Sequence, residues 1–202
     1  MKIRDILIGG LIVAGSVGLG VAPASAGLLG SNVTSQYYAY GGPYDGAGSP
    51  ASFVADGTVQ QTFCATGCIE GFALTVSNDQ ITYEQLDDNG YWSPSGVSYS
   101  SGGITISNGN LLTFLGATIT GVTLDAATDM PGFTAANFGF NSGAVGVDWA
   151  GLTGISAGDV VVLDVTTSSV PEPATWAMML VGFGGLGAAM RVARRKQATV
   201  AA

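Results

Sequence analysis

Asp87-Asp88-Asn89-Gly90 places three side-chain oxygen donors in consecutive positions, a run that can offer ligands to calcium. That ion takes about six to eight oxygens and requires neither His nor Cys. Asp125, Asp129, Asp148 and Asp164 are further donors, but no EF-hand or nonapeptide spacing organises them. We therefore read Asp87–Gly90 chiefly as a hairpin turn with solvated carboxylates. Calcium through Asp87, Asp88 and Asn89 is the alternative, and no other cofactor is expected. Two carboxylates also suffice to cleave a glycoside when held about 5–9 Å apart. Glu70, Glu84, Asp148 and Asp164 are available, yet nothing in their spacing pairs them, so no catalytic residue is expected.

The only cysteines, Cys64 and Cys68, flank Ala-Thr-Gly, with Gly67 permitting a tight turn. In an exported chain that spacing reads as a local disulfide. Closing so short a loop, it pins a turn more than it holds the fold. Tyr37, Tyr38, Tyr40 and Tyr44 cluster early, and Tyr91 and Trp92 follow the acidic run. Such rings can stack on sugars; the competing reading has them cap a core. Trp149 alternates with Val145 and Val147 and so faces inward.

What is missing narrows function further. Gly27 to Val170 hold twelve of the fourteen carboxylates, none of the six Lys and Arg residues, and no histidine. That removes His general bases, Ser-His-Asp arrangements and imidazole metal sites. It also removes lysine Schiff bases and bidentate arginine clamps. Nucleic acid is not an expected partner, because affinity there rests on cations meeting phosphates. We expect a non-enzyme.

The elements that must position these residues read as strands. Gly, Thr, Ser, Val and aromatics dominate, and residues that favour helices are scarce. Strands are predicted at Phe53–Phe63, Gly71–Val76, Ile81–Leu86, Val97–Tyr99, Ile104–Ser107, Leu111–Leu124, Asn137–Asn141, Val145–Trp149 and Val160–Thr166. Turn signals fall at Asn78-Asp79, Asp88-Asn89-Gly90, Ser101-Gly102-Gly103, Asn108-Gly109 and Ala157-Gly158-Asp159. A helical turn is expected within Ala126–Ala136. The class is all-β, a jelly-roll-like β-sandwich over residues 53–166. Residues 27–52 are expected to be a flexible N-terminal segment, with a mobile loop at Gly41–Ser52 and a polar spacer at Thr166–Val170.

Both ends are addresses. Lys2 and Arg4, an apolar run to about Val21, and Pro23-Ala24-Ser25-Ala26 form a signal peptide over residues 1–26. Its A-x-A exit predicts cleavage between Ala26 and Gly27, and export through the Sec machinery. At the other end, Pro171-Glu172-Pro173 precedes an uncharged run from Ala174 to Met190, then Arg191, Arg194, Arg195 and Lys196. Seventeen helical residues reach about 26 Å, just enough for a transmembrane helix, and the basic tail keeps that end cytoplasmic. Trp176 would sit at the membrane interface.

Pro171-Glu172-Pro173-Ala174-Thr175-Trp176-Ala177, the apolar Gly-rich helix and the Arg-rich tail together resemble a PEP-CTERM sorting signal, assigned here to residues 167–202. The resemblance implies recognition by an exosortase-type membrane enzyme acting at or near Pro-Glu-Pro. The helix and tail are then removed and the body is passed to the cell surface or medium. It also implies an association with exopolysaccharide and biofilm matrix. "GVTLDAATDMPGF", "VDWAGL" and "GDVVVLDV" are similar to sequences found upstream of such signals and imply no activity. The expectation is an exported surface or matrix protein; a carbohydrate-binding module, then a small acidic-residue hydrolase, are the alternatives.

Overall fold

Alternation of buried and exposed side chains organises the body. In Phe72–Val76 the side chains of Phe72, Leu74 and Val76 are buried, and in Gln80–Gln85 those of Ile81, Tyr83 and Gln85. That period of two is what a strand with one covered face requires. The computed structural model describes residues 27–64, 70–88, 90–94, 96–168, 178–187 and 190–191. Its strands are β1 (Asn32–Ala39), β2 (Gly42–Tyr44), β3 (Ala51–Val54), β4 (Val59–Phe63), β5 (Phe72–Val76), β6 (Gln80–Gln85), β7 (Gly90–Tyr91) and β8 (Tyr99–Ser101). They continue with β9 (Ile104–Ile106), β10 (Asn108–Leu115), β11 (Thr118–Leu124), β12 (Phe138–Asn141), β13 (Ala144–Asp148), β14 (Thr153–Ile155) and β15 (Val160–Ser168). The chain is all-β over this body.

Two antiparallel sheets carry the architecture. A six-stranded sheet runs β12-β13-β10-β1-β2, with β3 also paired to β1; a five-stranded sheet runs β11-β15-β6-β5-β4. Val33, Tyr37, Leu112, Val145 and Val147 of the first join Phe72, Leu74, Ile81, Tyr83, Val161 and Leu163 of the second in one apolar cluster. Trp149 lies within it, its ring 5.0 Å from Tyr83, 5.8 Å from Trp92 and 5.5 Å from Phe133. Fully burying an aliphatic or Phe side chain contributes about 1.5–3 kcal/mol, so this cluster is the main source of stability. Ser35 and Asn110, the polar pair inside, hydrogen-bond each other at 3.0–3.1 Å and are fully buried. On the outer face of the six-stranded sheet, Ile104 and Ile106 of the β8–β9 hairpin pack with Ala144, Tyr38 and Leu111. Gly146 permits this approach, since a Cβ there would stand 2.3 Å from Ile104 Cγ2.

Several expectations are corrected. Residues 27–52 are not a flexible lead-in: β1 is an inner strand, paired to β10 along its whole length and to β2 and β3 on its other side. The loop within Gly41–Ser52 is tied down, with Ser49 Oγ accepting from Tyr37 N at 2.8 Å and Ala47 O accepting from Cys64 N at 2.6 Å. Phe53–Phe63 is two strands separated by a turn at Gly57, and Leu111–Leu124 is two separated at Gly116; both glycines have positive φ. Asn108-Gly109 is the start of β10 instead of a turn, because Gly109 lets the Val147 carbonyl approach to where a Cβ would be 1.9 Å away. Thr166 to Ser168 extend β15, paired with Thr118 to Gly121, so the expected spacer is mostly strand. The helical turn is a 3₁₀ turn at Ala135–Asn137, at the end of the expected stretch, capped by the Thr134 hydroxyl.

The signal peptide, with Ala26, lies outside the described residues. Gly27 begins them, packed where a Cβ would meet Asn78 Oδ1 at 2.0 Å. Within the expected membrane helix, residues 178–187 and 190 are helical, as is Arg191 of the basic tail, which closes the described part. Among the described residues no helix is long and apolar enough to cross a membrane. Pro171, Glu172, Pro173, Ala174, Trp176, Arg194, Arg195 and Lys196 fall outside them.

Candidate functional site

Where the two sheets meet at the β1–β2 turn, a cavity of about 270 Å³ opens. Tyr37 and Ala39 of β1, Tyr40 of the turn and Tyr44 of β2 line one side. Phe63 and Cys64 at the end of β4, Glu70 before β5, Trp92 and Ser93 after β7, and Asn108 of β10 line the rest, with Ala47 from the β2–β3 loop. Five of these eleven residues are aromatic, so the wall is a set of ring faces and edges. Tyr37 stacks on Phe63 at 4.4 Å, and Tyr44 stands edge-on to both at 6.1 and 6.5 Å. Such offset and edge arrangements are the favourable ones for aromatic pairs. Tyr40 and Tyr44 are exposed, at 74 % and 47 %, whereas Tyr37 and Trp92 are buried.

The polar groups are few. The Tyr37 hydroxyl donates to Asn108 Oδ1, and the Asn108 amide donates to Ser93 O at 2.9 Å. Burial above all, then the nearby Glu70 and Asp148 carboxylates, holds the Tyr37 hydroxyl protonated well above the usual tyrosine range. Glu70 is the cavity's carboxylate. Partial burial first, and the charge of Asp87 second, push its pKa up.

The backbone around the cavity is unusual. Tyr40, Ala47 and Cys64, at φ 55°, 53° and 54°, are the non-glycine residues with positive φ among the described residues. All three line the cavity. A left-handed backbone at a residue with a side chain costs on the order of 1–3 kcal/mol and gathers at functional sites. The surrounding bonds hold it: Gln61 Nε2 donates to Gly48 O at 2.7 Å, and Gln36 Nε2 donates to Tyr44 O at 3.1 Å.

The residues singled out by sequence are divided by the structure. Tyr37, Tyr40, Tyr44 and Trp92 converge on the cavity, and Trp92 does so from the core, 2 % exposed, leaving no free face for a ligand. Tyr91 is exposed elsewhere, and Tyr38 stacks on Tyr99 at 4.0 Å. Cys64 is disulfide-bonded; Cys68 lies outside the described residues. Asp87–Gly90 is not a hairpin turn, since β7 leaves β6 to pair with β14. Asp88 Oδ1 accepts from Ala157 N at 3.1 Å, and Asn89 lies outside the described residues. The other proposed calcium donors serve the fold: Asp125 accepts from Ala127 N, Asp129 from Val160 N, and Asp164 from Gln80 Nε2. Asp148 accepts from Ser107 N, Asn108 N and Ala150 N at 3.0–3.1 Å. Among the described residues no three His, Cys, Asp or Glu side chains gather as a metal site would require. Glu70 and Asp87 are the acidic residues brought together near the cavity. Sequence reasoning weighed both, but not as a pair. Asn108 and Ser93 it missed, because the Asn-Gly signal points to a turn.

Fold and tail together define an all-β body with a C-terminal sorting segment. Residues 169–196 match the family model described as the PEP-CTERM protein-sorting motif. No curated protein and no solved structure matches the chain. The motif begins directly after β15 ends at Ser168. It implies a secreted protein sorted by a membrane-embedded exosortase.

Proposed function

We propose that this chain is a non-enzymatic surface or matrix protein, a jelly-roll-like β-sandwich exported through the Sec machinery and delivered by exosortase processing. The motif over residues 169–196 carries the reading. The body supports it: from Gly27 to Val170 no side chain supplies a cation or an imidazole for the commoner catalytic strategies. The apolar run Ala174–Met190 serves as a temporary membrane anchor, and the released body joins the extracellular matrix with its exopolysaccharide. Intact-mass measurement on cells and medium, with and without exosortase, tests this. The expected mature chain begins at Gly27 and ends near Pro171; a chain carrying Arg191–Lys196 in the presence of exosortase would overturn the reading.

A second reading is favoured by the cavity. Its exposed tyrosines and recessed Glu70 and Asn108 suit one ring of a saccharide, so the matrix role includes carbohydrate binding.

A further inference from the structure

The cavity at the β1–β2 turn has the size, walls and charge for one kind of guest. Its volume of about 270 Å³ lies near the lower end of the roughly 300–1,000 Å³ typical of small-molecule sites, enough for a single ring or a compact head group. Tyr40 and Tyr44, both exposed, contribute the electron-rich aromatic surface that attracts a cation, while Tyr37 and Trp92 are buried behind them. Glu70 stands in the same wall. No Lys, Arg or His exists between Gly27 and Val170 to neutralise it, and eleven other carboxylates share that stretch. Tyr40 and Ala47, both left-handed though they carry side chains, stand in the walls, a strain that a merely structural turn would relieve with glycine.

We infer that the cavity binds an ammonium-bearing ligand of about one-ring size, with Glu70 facing the ammonium and Tyr40 and Tyr44 closing over the ligand. Two sources share that chemistry, an amino sugar and a quaternary ammonium head group. A neutral sugar would use the rings but leave Glu70 desolvated beside Asp87. An acidic sugar would meet a domain of its own sign. The inference rests on the carbohydrate-binding reading only in sharing its cavity, and a cation supplies what that cavity lacks.

The test is calorimetric titration of the exported protein with glucosamine, choline, glucose and glucuronate at low ionic strength. Glucosamine or choline should bind at least tenfold more tightly than glucose, and the tighter of the two names the source. Glu70→Gln and Tyr44→Ala should each weaken that binding at least tenfold, while Tyr91→Ala, outside the cavity, should leave it unchanged. Glucose binding as tightly as either cation would overturn the ammonium assignment and leave the carbohydrate reading standing. Heat from none of the four ligands would overturn both, as would cation binding that survives Glu70→Gln and Tyr44→Ala.

Discussion

The rings of Tyr37 and Phe63 lie 4.4 Å apart and nearly parallel, at 18°, although Tyr37 belongs to the six-stranded sheet and Phe63 to the five-stranded one. One aromatic pair thus joins the sheets directly beneath the cavity. Phe63→Ala should cost about 3–5 kcal/mol, the usual range for emptying a buried aromatic site. Tyr37→Phe keeps the stack but leaves the buried Asn108 Oδ1 without that donor, and should cost about 1–3 kcal/mol. Urea unfolding of both variants decides; equal losses would mean that the stack does not couple the sheets.

Asp148 organises the start of β10. Its two oxygens accept from three backbone N–H groups, of Ser107, Asn108 and Ala150. Asp148→Ala orphans these donors and should cost about 1–3 kcal/mol for each that stays buried. Asp148→Asn retains one accepting oxygen and should lie between. Thermal melts of the two variants would check the order.

Gly109 is needed for space. A methyl group there would stand 1.9 Å from the Val147 carbonyl oxygen, a backbone atom that cannot turn aside. Gly109→Ala should destabilise by at least about 1–3 kcal/mol. Gly42→Ala, where no atom lies within 4 Å of the new methyl, should be nearly neutral. A Gly109→Ala protein as stable as the Gly42→Ala protein would contradict the β10–β13 packing.

Glu70 and Asp56 give opposite pH dependences. Burial and Asp87 raise the Glu70 pKa above its ordinary value of 4.5, so the folded state holds that proton more tightly than the unfolded chain. Its contribution therefore favours folding below about that value and is lost as pH rises through the raised pKa. Asp56 is the reverse: bonds from Thr58 and Gln60 hold its pKa below 3.8. That contribution is present above 3.8 and disappears as pH falls through the lowered value. Glu70→Gln should raise stability at neutral pH relative to mildly acidic conditions, and Asp56→Asn should flatten only the most acidic part of the profile. Melting temperatures across pH 3–8 would reveal either sign reversed.

Much of the body could be read from the sequence where pattern and turn chemistry agree. Phe72–Val76 and Gln80–Gln85 alternate cleanly around Asn78-Asp79, and Trp149 sits where its spacing from Val145 and Val147 places it. The errors lie where local chemistry and tertiary contacts disagree. Asn108-Gly109 has turn chemistry but a strand's environment, because the glycine is needed for close approach by β13. β1 was hidden because its polar residues, Ser35 and Gln36, are satisfied by partners far along the chain, at Asn110 and in the β2–β3 loop. The cavity was only half visible. Its tyrosines stand out in sequence, but the left-handed backbone at Tyr40, Ala47 and Cys64 is imposed by tertiary bonds and leaves no composition signal.

β15 lies between β11 and β6, and the sorting motif starts at the residue after it ends. The tail therefore joins the body through a strand that has a neighbour on each side. Its pairing runs from Ser168 opposite Thr118 back to Val160 opposite Glu84. Val165 to Ser168, the end nearest the tail, pair with β11 alone, whereas Leu163 and Asp164 pair with both neighbours, so the hold on the strand strengthens with distance from the tail. Fraying at the tail junction can therefore reach Val165 before it meets the doubly paired part of the strand.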